Sequence, residues 1–466
     1  MNKTIIISVL CVISLFPLFS QNVLTLEQCR ELALKNNTLS KNAELAVQIA
    51  EQQKKEAFTN YFPKISAIGL GFSSNKPIVS MEMDLSTMMQ PMMEVFNPAI
   101  IWGMQQGAPI DPNALEALSN AEPQKIEMLK NGMIAGVQAA QPIFAGGQIW
   151  NGNRLAKTGL EVSKLQKQIS ENEVLLETEH YFWQLISLRE KMKTVENSEN
   201  MLANILSDIK IAVEAGLTTR NDFIRVELEQ NKLESEKLKL ENGLQMLKMA
   251  LGQKIGIPTD SFDIQQPQFD TFMPLVKASF EENSSNLQNR PEYKLLDKSV
   301  EVSRLQHDME AGKNLPTIAI GAGYNYMNFD IKKDDGMKSD FGMVFATLSV
   351  PLSDWWGGSH AIRQKKLEIK QAENTKMENT ELLLQQMQNV QNGLNEVYHQ
   401  VLLAKKTIIS AEQNLKISQD NYNAGIITLS ELLEAQNLLQ QSYDQYIETA
   451  TQYFQKQTKW KQVSGK

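Results

Sequence analysis

The sequence predicts a mainly α chain with membrane β: two repeats, each giving two barrel strands and a long helical hairpin. Three observations predict this. Landmark motifs recur at fixed offsets, heptads run through long proline-free stretches, and segments of about ten residues read as strands of bilayer-crossing length.

The N-terminus sets the compartment. Asn2-Lys3 gives a cationic start, and Ile5 to Phe19 is apolar except for Ser8, Ser14 and Pro17. Ser20 then offers a small residue before Gln21. Residues 1–20 are therefore read as a secretory signal peptide, too short and badly flanked for a spanning helix. Val9-Leu10 precede Cys11, where a lipoprotein signal needs a small residue, so Cys11 leaves with the signal. Cys29 is then the only thiol, which excludes an internal disulfide and a cysteine metal site. The net charge is -8, or -9 once Lys3 is lost, with no basic face, so nucleic acid is not an expected partner. No other apolar run reaches the ~18 residues of a spanning helix, so a membrane would have to be crossed by strands.

The chain is written twice. Pro63 and Pro316 close similar segments 253 residues apart, and Asn37 and Arg290 share that offset. Gln141-Pro142-Ile143 matches Val350-Pro351-Leu352, and the stretch Glu214 to Leu217 matches Asn423 to Ile426, both 209 residues apart. The two offsets differ by 44, so the first copy carries an insertion, at about Pro77 to Gly132. Repeat 1 is placed at residues 21–258, a connector rich in Asp, Gln and Pro at 259–279, and repeat 2 at 280–466.

After Pro142 there is no proline until Pro258, and after Pro351 there is none. Leu155, Val162, Ile169, Leu176 and Trp183 fall seven apart, and after a slip Leu188, Val195, Leu202 and Ile209 resume the spacing. Sustained heptads of this kind predict coiled-coil packing, with a local change of supercoil at the slip. Each long helix ends at a glycine, Gly216 or Gly425, suited to a left-handed cap. Thr218 or Thr219, and Thr428 or Ser430, can cap the returning helix. Strands are expected at Lys64–Ser73, Met133–Ile143, Ile318–Tyr326 and Phe341–Val350. Four strands cannot close a membrane barrel, whose smallest members have about eight, and open edges are not tolerated in lipid. Several chains must share one barrel.

Three stretches resemble the TolC family of outer-membrane efflux ducts. They are Leu24-Thr-Leu-Glu-Gln-Cys-Arg-Glu-Leu-Ala-Leu-Lys-Asn-Asn37, Gln141-Pro-Ile-Phe-Ala-Gly-Gly147 and Tyr422-Asn-Ala-Gly-Ile-Ile-Thr-Leu-Ser-Glu-Leu-Leu-Glu-Ala-Gln-Asn437. The resemblance implies a homotrimer in the cell outer membrane, with a twelve-stranded β-barrel on a long periplasmic α-helical barrel. It implies a periplasmic adaptor (membrane fusion) protein and an inner-membrane pump of RND or ABC type as partners, besides outer-membrane lipid. By the same resemblance Glu431 and Glu434 form an acidic ring at the gate, and Asp222 and Tyr422 lock its closed state. Gly216, Leu217, Gly425 and Ile426 would be adaptor-contact tips. The arginine that completes the lock in the family is Ile427 here, with Arg220 or Arg225 as the available substitutes.

Other signals are set aside. Met81, Met83, Met88, Met89, Met92 and Met93 cluster in the insertion, where thioethers suit soft ions but more commonly supply adaptable packing. His180, His307, His360 and His399 have no metal-binding spacing, and no phosphate loop or nucleophile motif occurs. No cofactor, metal or enzymatic activity is expected. The rival to a passive export duct is a secreted structural or adhesive coiled-coil protein, which the heptads alone would fit.

Overall fold

The computed structural model describes residues 22–84, 87, 91, 124–128, 130–267, 272, 280–332 and 335–465. The signal peptide and most of the methionine-rich insertion, including Met88, Met89, Met92 and Met93, lie outside the described residues. In chain order the elements are β1 (Asn22–Leu24), α1 (Leu26–Asn36), α2 (Thr38–Thr59), β2 (Lys64–Ser73), β3 (Val79–Met83), β4 (Gln124–Met128) and β5 (Asn131–Ala145). The first long hairpin follows, α3 (Gln148–Glu214) and α4 (Arg220–Ile255), then a 3-10 turn (Thr259–Ser261) and β6 (Phe262–Ile264). The second repeat gives α5 (Phe280–Leu287), α6 (Pro291–Lys313), β7 (Thr317–Lys332), β8 (Asp335–Ser349), α7 (Asp354–Asn423) and α8 (Leu429–Val463). Both repeats thus have the expected strand pair and helical hairpin.

The chain divides into two compact units. The helical unit comprises Met1–Lys54, Arg154–Leu305 and Lys365–Lys466. Its larger core joins Cys29 and Ala33 of α1 to Phe182 and Ile186 of α3, Leu251 and Ile255 of α4, Met387 and Val401 of α7, and Tyr453 and Trp460 of α8. Trp183 and Phe454 stack there at 4.2 Å between ring centroids. Burial repeats with the sequence: Leu185 and Leu394, Val195 and Ala404, and Val226 and Ala435 are buried pairs 209 residues apart. The heptad after the slip is deeply buried at Val195, Leu202 and Ile209. Before it, Leu155, Val162, Ile169 and Leu176 are only half-buried within one chain.

The segment expected to be a plain connector is partly core. β6 pairs in parallel with β1, Leu24 opposite Ile264, and Phe262 is fully buried. Composition could not reveal this, because the burial comes from a partner strand far away in the chain.

The second unit, Lys55–Asn153 with Gln306–Gln364, holds an antiparallel sheet in the order β2-β5-β7-β8. β2 has the expected bounds, but β5, β7 and β8 run to 15, 16 and 15 residues rather than about ten. At the outer end of the extra length Asn328 of β7 faces Lys338 of β8, with Met327 and Phe329 on the opposite face of the sheet. β8 begins at Asp335, six residues before the expected start at Phe341. β3 and β4 form a separate hairpin within the insertion.

The register sorts the sheet into two faces. Ile65, Ala139, Ala322 and Val344 lie in one row, and Ala67, Val137, Tyr324 and Gly342 in the next. With Ile318, Ile320, Ala346 and Leu348 they make a continuous apolar face, and Val344 is 86% exposed on it. From Ile318 to Tyr326 this band is about 20 Å tall for a strand tilted ~40°, close to the apolar height of outer-membrane barrels. The opposite face carries Ser66, Gln138, Asn325 and Thr347, with Phe345 lying over Gly321.

At the turn from β5 into α3, Gly146 has φ +58° and its α-carbon faces the backbone of Gly312. A β-carbon there would sit 2.0 Å from the Gly312 carbonyl oxygen. The second glycine is needed for space as much as the first is for conformation.

Candidate functional site

The predicted site residues gather at the two helical tips, both in the helical unit. α3 ends with Gly216 at φ +70° and α7 with Gly425 at φ +69°. In each case two backbone bonds close the helix: Gly216 N–H to Val213 and Leu217 N–H to Ala212, and Gly425 N–H to Tyr422 and Ile426 N–H to Asn421. This is the Schellman arrangement, which satisfies the last carbonyls of a helix. It leaves the next side chain in solvent, Leu217 82% and Ile426 71% exposed.

The returning helices start alike. Thr219 caps α4 and Thr428 caps α8, each as a capping box with the residue three further on. The Asp222 carboxylate accepts from Thr218 Oγ1 and Thr219 Oγ1, both at 2.8 Å, and these bonds hold its pKa below the usual carboxylate range. Glu431 accepts from the Thr428 N–H at 2.7 Å and from its hydroxyl at 2.9 Å, with the same effect. Asp222 and Glu431 are therefore equivalent capping residues, 209 apart. The Thr-x-x-Asp and Thr-x-x-Glu spacings were the signal for this role, which the resemblance had overshadowed.

Tyr422 packs on the edge of the tip core with Phe223 and Val213. Burial raises its pKa, and Asp222 and Asp208 add to the rise by charge. Among the described residues no hydrogen bond joins Tyr422 to Asp222; the threonines all donate to one Asp222 oxygen, Oδ2. Arg225 of α4 donates instead to Ser430 Oγ of α8, joining the returning helices of the two hairpins. An open groove of about 620 Å³ lies beside this bond, lined among others by Arg225, Glu229, Lys232 and Glu434. Sequence reasoning named Arg225 only as a substitute for a missing arginine and did not find the groove, which depends on the crossing of two distant helices.

Residues 284–466 match the family described as outer membrane efflux protein. That match spans the second repeat, less than half of the chain. Solved channels share its fold. The outer membrane protein VceC from Vibrio cholerae is 13% identical at a TM-score of 0.72, covering 94% of this chain and 96% of that one. The Campylobacter jejuni CmeC outer membrane channel is 14% identical at 0.70, covering 94% and 85%. The open-state MtrE outer membrane channel of Neisseria gonorrhoeae is 13% identical at 0.71, covering 94% and 88%. No curated protein matches the chain in sequence. The matched family and these solved proteins are all described as outer-membrane proteins. Among the described residues no helix is long and apolar enough to cross a membrane.

Farther along the hairpins, Asp444 of α8 is half-buried with one carboxylate oxygen unpartnered, facing Lys191 of α3 and Glu236 of α4, with Glu448 on its own helix. Burial raises its pKa from 3.8 to about 6, against the charge of Lys191 and helped by Glu236 and Glu448. A carboxyl raised in the folded state stabilises fully below its unfolded pKa, and that contribution is lost as pH rises through about 6. Asp444→Asn is therefore expected to raise the melting temperature at neutral pH and to leave it unchanged near ~pH 4. Circular-dichroism melts in detergent at the two pH values check this.

Proposed function

We propose that the chain is the protomer of a homotrimeric outer-membrane duct in a tripartite export system, passing substrates passively from the periplasm or an inner-membrane pump to the exterior. The observation that carries this is the four-stranded sheet, whose apolar face is exposed and whose edge strands β2 and β8 have no further strand partner among the described residues. Unpaired edges are not tolerated in hydrocarbon, and four strands are too few to close. β8 of one copy must therefore meet β2 of the next. Because the four strands alternate in direction, that seam is antiparallel like the pairs within the chain. Three copies make twelve strands, as the resemblance implies.

In this duct the periplasmic helices carry the gate at their tips. Exposed Leu217 and Ile426, beside Gly216 and Gly425, suit contact with a periplasmic adaptor protein, which links to a pump of RND or ABC type. Glu431 and Glu434 would lie at the narrowest point, and Asp222 and Tyr422 would hold the closed state. The protomer does no chemistry; energy comes from the pump.

The test is a cysteine at Ile65 on β2 combined with one at Gly342, Val344 or Ala346 on β8, all on one face. Within a chain these edges are separated by three strand spacings, about 14 Å, beyond the ~7 Å reach of a disulfide. Oxidation in the outer membrane is expected to yield covalent dimers and trimers from at least one pair, and none with the cysteine moved to Val137 on the inner strand β5. Monomers from every pair would refute the shared barrel.

A further inference from the structure

The two hairpins of one chain carry opposite charges at equivalent tip positions. Arg225 and Glu434 are 209 residues apart, the offset that also relates Gly216 to Gly425 and Thr219 to Thr428. Both line the groove between α4 and α8. Arg225 reaches across to Ser430, one turn before Glu434, while the Glu431 carboxylate turns back into its own helix cap. The other charged residues of the groove, Glu229 and Lys232, pair with each other at 2.6 Å and bring no net charge. Arg225 is thus the groove's remaining cation and Glu434 its remaining carboxylate, while Asp222, three residues before Arg225, also feels the arginine's charge.

We propose that Arg225 sets the charge selectivity of the tip constriction by balancing Glu434 within each chain. The ring then carries one net carboxylate per protomer, Glu431, instead of two. This rests on the reading of the chain as a duct whose constriction lies at the tips. The physical basis is short-range: charges closer than the ~8 Å Debye length at physiological salt act on a permeating ion together. An exposed pair of this kind contributes little to stability, so the effect of removing it falls on ion flow.

The experiment uses purified full-length trimers in planar bilayers, reading reversal potential in a potassium chloride gradient and block by magnesium ion. Arg225→Ala is expected to shift selectivity toward cations and to strengthen magnesium block about tenfold. Glu434→Gln moves both the other way, the double variant returns close to wild type, and Arg225→Lys keeps wild-type behaviour. If both single variants conduct with unchanged selectivity and block, the role of Arg225 is refuted and the duct reading stands. If wild-type trimers do not conduct at all, both fall.

Discussion

Alanine at Arg30 is expected to destabilise the helical unit by about 3 kcal/mol, and alanine at its partner Glu179 by only about 1 kcal/mol. Arg30 of α1 places both Nε, at 2.7 Å, and Nη2, at 2.5 Å, on one oxygen of Glu179 in α3. The Glu179 side chain is 4% exposed and that of Arg30 26%. Removing the arginine strands a buried carboxylate whose remaining partner is the Thr458 hydroxyl of α8. Removing the glutamate leaves a guanidinium that reaches solvent and keeps Glu27 at 2.7 Å. The order of the two losses is the informative result, read from thermal or denaturant unfolding followed by helical circular dichroism. Equal losses would mean that the charge of Glu179 is solvated in some other way. Pairing Arg30→Ala with Glu179→Leu should recover most of the deficit, since no buried charge then remains.

Alanine at Gly146 should abolish the assembled protein, an effect above about 4 kcal/mol. Two penalties coincide there: a φ of +58°, and a β-carbon 2.0 Å from the Gly312 carbonyl oxygen, which as backbone cannot swing aside. Gly216 separates the two terms. Its φ is +70°, but a β-carbon there meets nothing within 4 Å. Gly216→Ala should therefore carry the left-handed penalty alone, about 1–2 kcal/mol. Outer-membrane yield and the heat-resistant oligomer band on gels measure both. Normal assembly of Gly146→Ala would contradict the close passage of the two backbones.

The duplication, the glycine tips and the positions of all four strands could be read from the residues, because each rests on local chemistry that the chain repeats. The lengths of β5, β7 and β8 could not. At the outer end of β7 the alternation changes phase, Asn328 falling on the face that Ile318 to Tyr326 make apolar and Met327 and Phe329 on the other. β6 was hidden for a different reason: Phe262-Asp263-Ile264 looks like any short apolar patch until β1 lies beside it. At the tips, the capping partners of Asp222 and Glu431 were within four residues and so legible in principle. The reach of Arg225 to Ser430 spans 205 residues and exists only once both hairpins have folded. Half-burial of Leu155, Val162, Ile169 and Leu176 shows the limit from the other side, a perfect heptad whose seam one chain leaves unfinished.

The pairing of Leu24 with Ile264 also bears on the order in which the molecule matures. Those two residues are 240 positions apart, and the whole first hairpin must be laid down between them. Contacts of such long sequence separation form late, because ordering the intervening chain is paid for before they give anything back. Until the first hairpin is in place, Leu24 therefore lacks the strand that lies beside it in the folded chain.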